Sequence, residues 1–428
     1  MPQSSKKIGY WSVVAIGVGG MVGGGIFAVL GLSVKMTRGA APLAFMIAGL
    51  VALVTAYSYA RLSVTFPNQG GTVTFLDNAF GSGLLTGTVN IMLWISYIVM
   101  LSLYAFAFGS YAAALLPESS RLLWKHVLIS GSIIAVTGIN FLNVELIGAA
   151  EQWIVAIKIG ILLFFIAVGI WTVDPTWLGP GNWPGASPIL AGAMIIFLAY
   201  EGFELIANTA GDVQEPEKTL PRAYYSAVAF VILIYVLVAA VTVGNLPVPQ
   251  IVDAKDYALA QAARPFLGSF GYLLITIAAL LSTLSAINAT LYGAARLSYS
   301  IAKDGELPAI LERKLWNRPV EGLLITTGAT LLMANLFDLS SISTMGSAGF
   351  LLIFAAVNAA NAVLAQQTGS RCWVSVLGVL LCLGALTSLV TYTLRHAPAH
   401  IGVLVAMLVL AFAVESAYRL WRKDRFIF

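Results

Sequence analysis

The chain has 428 residues, of which 59% are hydrophobic and 10% charged, with a mean hydropathy of +0.89. That balance excludes an ordinary soluble fold and places the sequence in the membrane class. The net charge of +4 points to no nucleic-acid surface, and two cysteines are too few for a disulfide framework or a metal cluster.

Residues 1–9 are polar, carry Lys6 and Lys7, and are followed by no small-residue cleavage site, so they read as a retained tail rather than a signal peptide. Twelve apolar spans follow, at 10–36, 40–66, 83–115, 122–143, 145–172, 188–211, 222–245, 266–303, 318–336, 340–366, 371–395 and 398–420. Several exceed the length an apolar core of about 30 Å requires, so they are expected to tilt or to project into water.

In the first span, Ala15 to Gly31 holds seven glycines in seventeen residues. Each costs roughly 1 kcal/mol relative to alanine inside a helix. Close packing through small residues explains isolated glycines, but Gly23, Gly24 and Gly25 in a row exceed that need. The expectation is a broken helix. Its unpaired N–H and C=O groups are tolerated at membrane depth only where protein, water or a ligand satisfies them.

Lys158 stands midway along the fifth span, inside Gln152–Phe165. An ammonium there costs at least a few kcal/mol, so an intramembrane lysine marks function by default. Burial disfavours the charged amine, which suits a group that exchanges a proton in each cycle. Snorkelling to an interface is the alternative, and the mid-span position opposes it.

The sixth span contains Tyr200-Glu201-Gly202-Phe203-Glu204, a glycine between two carboxylates, and a second break is expected there. Spacing makes the first and sixth spans corresponding members of two five-span units, 10–172 and 188–366. The spans within 371–420 and a tail at 421–428 complete the chain. Paired interruptions at matching positions point to a central transport site between repeats. Three readings of Glu201 and Glu204 stay open: recognition of a second amine on a cationic substrate, a salt bridge or shared proton with Lys158, or protonated, hydrogen-bonded acids.

Asn208, Asn288 and Asn358 are expected to tie helices together, and Cys372 and Cys382 to pack as small apolar residues. His126, His396 and His400 lie near span ends. No metal-ligand spacing, phosphate loop or nucleophile–base constellation is present, so an enzyme is not expected. With both ends inside, fourteen of the 23 Lys and Arg residues fall on the cytoplasmic side, including Lys218, Arg222, Lys303, Arg313, Lys314 and Arg318. Seven fall outside, which fits the positive-inside rule.

Several stretches resemble the amino acid–polyamine–organocation superfamily, in order and over nearly the whole chain. Val22-Gly-Gly-Gly-Ile-Phe27 is similar to the family's Ile-Gly-Ser-Gly-Ile-Phe. Tyr59-Ala-Arg-Leu62 and Phe66-Pro-Asn-Gln-Gly-Gly-Thr72 resemble its Tyr-Ala-Glu-Leu and Phe-Pro-x-x-Gly-Gly-x. Phe197–Phe203, Asp212–Ala223, Gly293–Arg296 and Ala302–Pro308 complete the set. Two departures stand out: Gly24 replaces a serine hydroxyl, leaving extra room, and Arg61 replaces the usual acid.

The resemblance implies an all-α integral membrane protein of the LeuT-type fold. That fold has ten core helices in a 5+5 inverted repeat, broken helices 1 and 6, and here two more C-terminal helices. It implies that N–H groups from Val22 through Gly23, Gly24, Gly25 and Ile26 bind a substrate carboxylate. Carbonyls near Ile16 and Gly19, with those of Phe197, Ala199, Tyr200 and Glu201, receive its amino group. Phe197 or Tyr200 stands for the family's aromatic gate, although the aligned position is Leu198.

In proton-coupled members a helix 5 lysine replaces the second sodium ion, against the helix 1 backbone and helix 8 hydroxyls. Here these are Lys158, Gly19, Ser282 and Thr283, and Glu204 matches a position where an acid recurs. A fixed cation in that cavity favours H⁺ over Na⁺ as coupling ion. The expected activity is secondary active import of amino acids or related amines by alternating access. An obligate amino acid or polyamine exchanger is the alternative, and a channel or substrate sensor the remoter one. Neutral amino acids rank slightly above basic ones and polyamines. No cofactor, metal, nucleic acid or disulfide-linked heavy chain is expected. The partners are the small substrate and lipid, in a membrane read as prokaryotic and cytoplasmic, with both termini inside.

Overall fold

The computed structural model describes residues 7–68, 70–142, 145–303 and 320–425. Asp304 to Pro308 of one motif, and Lys6, Arg313, Lys314 and Arg318, lie outside the described residues.

In chain order the helices are α1 (Tyr10–Met21), α2 (Gly25–Thr37), α3 (Ala41–Thr65), α4 (Gly71–Phe80), α5 (Leu84–Ala113), α6 (Arg121–Leu142) and α7 (Glu145–Gly169). A single turn, α8 (Pro175–Leu178), precedes α9 (Ala186–Ile195), which runs into 3₁₀ segments at Ile196–Tyr200 and Phe203–Asp212. Then come α10 (Pro216–Asn245), α11 (Val248–Ala254), α12 (Ala258–Lys303), α13 (Val320–Leu336), α14 (Leu339–Val363), α15 (Ala365–Thr368), α16 (Cys372–His396) and α17 (Pro398–Arg425). Among the described residues ten helices are long and apolar enough to cross a membrane, and α1 and α13 are shorter apolar helices. The chain is an all-helical, multi-pass integral membrane protein. In hydrocarbon the helix is the form in which a single segment pairs its own backbone groups.

The departures from the expected boundaries have local causes. The seventh helix begins at Pro216, six residues before the expected start. Proline at the first helical position loses nothing, because that N–H has no intrahelical partner. Pro221 removes one further bond without ending the helix. The eighth begins at Ala258 rather than 266 and bends at Gly268, whose φ is +61°. Helix α4 falls where a plain connection was expected.

Burial sorts the helices into a centre and a rim. In α5, 94% of the most apolar window is buried, and in Ala186–Asp212 the figure is 89%, against 22% in both α16 and α17. The centre is therefore made of the first and sixth spans with α5, flanked by α3 and α10 on one side and by α12 on another. Two of the intramembrane asparagines join helices. Asn358 bonds Ser58 and Thr55 of α3, and Asn288 accepts from Asn140 of α6. Before α1, Ile8 makes a parallel bridge to Val213, donating to the Asp212 carbonyl and accepting from the Gln214 N–H. The start of the first span is thereby tied to the end of the sixth.

Candidate functional site

Both expected breaks are present. Helix α1 ends at Met21 and α2 begins at Gly25, leaving Val22 to Gly24 between them. The sixth span tightens to 3₁₀ and breaks at Glu201 and Gly202, where Gly202 has a φ of +114°. The two breaks meet directly. A Cβ on Gly202 would fall 2.6 Å from the Met21 nitrogen and 2.8 Å from the Gly20 oxygen. A Cβ on Gly25 would fall 2.9 Å from the Ala199 Cα. Glycine is required at 202 both for its positive φ and for this backbone approach.

Several orphaned backbone groups are satisfied by side chains. The Tyr235 hydroxyl donates to Met21 O at 2.6 Å and reaches Ala199 O at 3.2 Å, one carbonyl from each break. Ser343 and Ser347 donate to Ile195 O, and Ser347 accepts from the Leu198 N–H at 3.2 Å. Ser282 donates to Val22 O at 3.3 Å. No side chain caps the N-terminus of α2, where the helix dipole favours an anion. Tyr235→Phe is expected to leave both carbonyls short of a donor and to destabilise the protein by roughly 1–3 kcal/mol. A lower thermal midpoint in detergent checks this, and an unchanged midpoint would show that the hydroxyl is dispensable.

Lys158 is fully buried, and its Nζ donates to Gly19 O at 3.0 Å, joining α7 to α1. Ser282 and Thr283 lie on α12 beside the break. The Ser282 hydroxyl bonds the helix 1 backbone, whereas that of Thr283 bonds Ala279 O within its own helix. Ile16 lies on α1, one turn before the Gly20–Gly202 contact.

Glu201 and Glu204 are both buried and near enough to interact with each other. The Tyr104 hydroxyl donates to Glu201 at 3.4 Å and that of Tyr97 to Glu204 at 3.5 Å. Glu204 also accepts the Gly202 N–H at 2.7 Å, an acid closing the break that precedes it. The sequence reading missed Tyr97, Tyr104 and Tyr235, because a tyrosine in an apolar span carries no signal separating packing from polar contact.

Gly24 offers no extra room, which corrects that expectation. A Cβ there would lie 2.5 Å from Tyr104 Cδ1 and 2.9 Å from Thr283 Cγ2, so the space is occupied. The two aromatic candidates part company. Phe197 packs edge-on to Phe354 of α14, whereas Tyr200 lies tilted against the Tyr235 ring and donates to Phe45 O of α3 at 2.7 Å. Leu198 lies against Gly346.

Known proteins resemble this chain over most of its length. An uncharacterized protein of Methanocaldococcus jannaschii is 36% identical over 92% of this chain and 90% of its own. An inner membrane transport protein of Escherichia coli is 35% identical over 82% of each chain. The methylthioribose transporter of Bacillus subtilis is 26% identical over 85% of this chain and 82% of its own. The amino acid permease family matches residues 12–425, and this chain, a membrane transporter of small molecules, belongs to it.

Proposed function

We propose that the protein imports amino acids together with protons, by alternating access about the two breaks, in the LeuT-type 5+5 arrangement with both termini in the cytoplasm. The observation that carries this reading is the buried Lys158 bonded to Gly19 O beside the first break. A protonated amine holds a carbonyl through a charge-assisted bond, roughly twice as strong as a neutral one. Loss of the proton weakens the tie between α7 and α1 and lets the half-helix move. Substrate then enters the cycle through its main-chain-like end, the carboxylate at the free N–H groups of α2 and the amine at carbonyls of the two breaks. Uptake into proteoliposomes under an imposed pH gradient, in sodium-free buffer, tests the reading. Accumulation that needs sodium and ignores the gradient would refute it.

Small neutral amino acids fit recognition by main chain. A second reading, basic amino acids or diamines, is favoured by the Glu201–Glu204 pair, which offers a buried acid to a second amine. Under that reading Glu201→Gln weakens a cationic substrate at least tenfold while a neutral one changes little, because a buried charged hydrogen bond is worth about 1.5–3 kcal/mol. Competition of both substrate types against one labelled substrate measures this. Equal affinities before and after the change would return Glu201 to a structural role.

A further inference from the structure

We propose that Lys125 and Asp256 are positioning residues for transport. Their ion pair holds residues 248–257 down on α2, and so sets how readily the outward side of the first break opens. That α2 is the outward half of the first span rests on the orientation proposed above; the hold on the segment does not.

The segment joins α10 to α12 through α11 and a 3₁₀ turn at Lys255–Tyr257. It lies directly on α2. A Cβ on Gly31 would collide with the Lys255 carbonyl oxygen and fall 3.1 Å from the Ala258 Cβ. Lys125 of α6 donates to the Asp256 carboxylate at 2.8 Å, and Ser110 of α5 donates to the same oxygen at 3.3 Å. The side chains of the pair are only 18% and 22% exposed, and the ammonium stands over the Phe106 ring at 3.7 Å from its centroid. Arg121, one turn before Lys125, lies over the Tyr257 ring at 5.9 Å. Asp256 is thereby fixed to α5 and α6, while the residue before it bears on α2.

The backbone opposes this hold. Lys255 has a φ of +42° and a ψ of −99°, a conformation that an L side chain adopts only under strain. Such strain persists where the surroundings impose it. Here the Lys255 side chain is exposed, so the constraint comes from its carbonyl on Gly31 and from Asp256 held by Lys125. The ion pair therefore closes a segment whose own backbone favours release. It also joins elements 131 residues apart, whereas Lys218–Glu215 and Arg419–Glu415 are local pairs on single helices. Movement of α2 away from α5 and α6 must lift the segment and part the pair. Weakening the pair populates the outward-open form, which lowers the apparent dissociation constant for external substrate in proportion. Closure after binding then loses its hold, and the cycle slows.

Hydrogen–deuterium exchange of residues 248–257 in the purified full-length protein tests this, comparing the wild type with Asp256→Asn, Lys125→Gln and Lys255→Gly. Asp256→Asn and Lys125→Gln should each speed exchange there about fivefold, the upper end for a partly exposed pair. The two changes combined should exchange no faster than either alone, because both remove one interaction. Lys255→Gly relieves the strained backbone and should slow exchange about threefold. These opposed signs separate a latch from general loosening. Unchanged exchange in Asp256→Asn, additive effects in the double variant, or faster exchange in Lys255→Gly would each overturn the proposal. Uptake supplies a second readout. Asp256→Asn should lower the half-saturating external concentration about fivefold and reduce the maximal rate. An unchanged or raised concentration would make the pair a plain structural tie and overturn its role in transport. The exchange results depend on neither substrate nor proton coupling, so they stand apart from the fate of the import mechanism.

Discussion

Replacing Lys158 with methionine is expected to abolish accumulation of substrate against its gradient while leaving a folded carrier. The Nζ donates to Gly19 O from a fully buried position, so methionine keeps most of the volume and removes both the charge and the donor. Losing a hydrogen bond to a charged group costs roughly 1.5–3 kcal/mol. That is enough to lower the melting temperature without preventing folding. Without a titrating amine, the α7–α1 tie no longer responds to protons. Uptake should then equilibrate and stop at a concentration ratio near one, and its dependence on the pH gradient should vanish. Counterflow of labelled against unlabelled substrate should survive, because it needs only the breaks and their free backbone groups. Lys158→Arg, which keeps the charge but cannot release a proton, should also lose gradient-driven accumulation and, because its tie to α1 cannot loosen, should lose counterflow as well. Retained gradient-driven accumulation in either variant would remove Lys158 from the coupling step.

Gly202→Ala is expected to be among the most damaging single methyl additions in the molecule. At a φ of +114° an L side chain is strained, at a cost of about 1–2 kcal/mol for left-handed backbone. The new Cβ would also press on the Gly20 and Met21 backbone, which no rotamer change can relieve. Overpacking of this kind adds about 1–3 kcal/mol. Together these predict destabilisation of about 3 kcal/mol or more and loss of transport. Gly160→Ala is the matched control, because nothing lies within 4 Å of its Cβ position. Folded yield by gel filtration and transport by reconstitution check the pair. Wild-type behaviour of Gly202→Ala would show that the two breaks do not meet as described.

The breaks were legible in the sequence because they follow from backbone physics. Three consecutive glycines, and a glycine between two acids, are poor material for a continuous helix in any context. Lys158 was legible for a similar reason, since an ammonium at mid-span needs a partner, and Gly19 O is one. What fills the space around the breaks was not legible. Tyr104 occupies the room beside Gly24, and Tyr235 bridges carbonyls of both interruptions, yet each reads in sequence as one more aromatic in an apolar span. Phe197 and Tyr200 looked alike as gate candidates, but the tightening to 3₁₀ sends one towards α14 and the other towards α3. The expected start at 222 lies six residues late, because Pro216 opens the helix at the one position where proline is harmless and Pro221 is accommodated inside it.

The central claim is that protons drive import through this site. Its most direct test is simultaneous recording of substrate uptake and internal pH in proteoliposomes holding the purified protein, with a pH gradient alkaline inside and no sodium. The account predicts concentrative uptake of a neutral or basic amino acid, acidification of the lumen in step with it, and collapse of both on adding a protonophore. Uptake that appears only when substrate is preloaded inside, with no proton movement and no response to the protonophore, would contradict the account and identify an obligate exchanger.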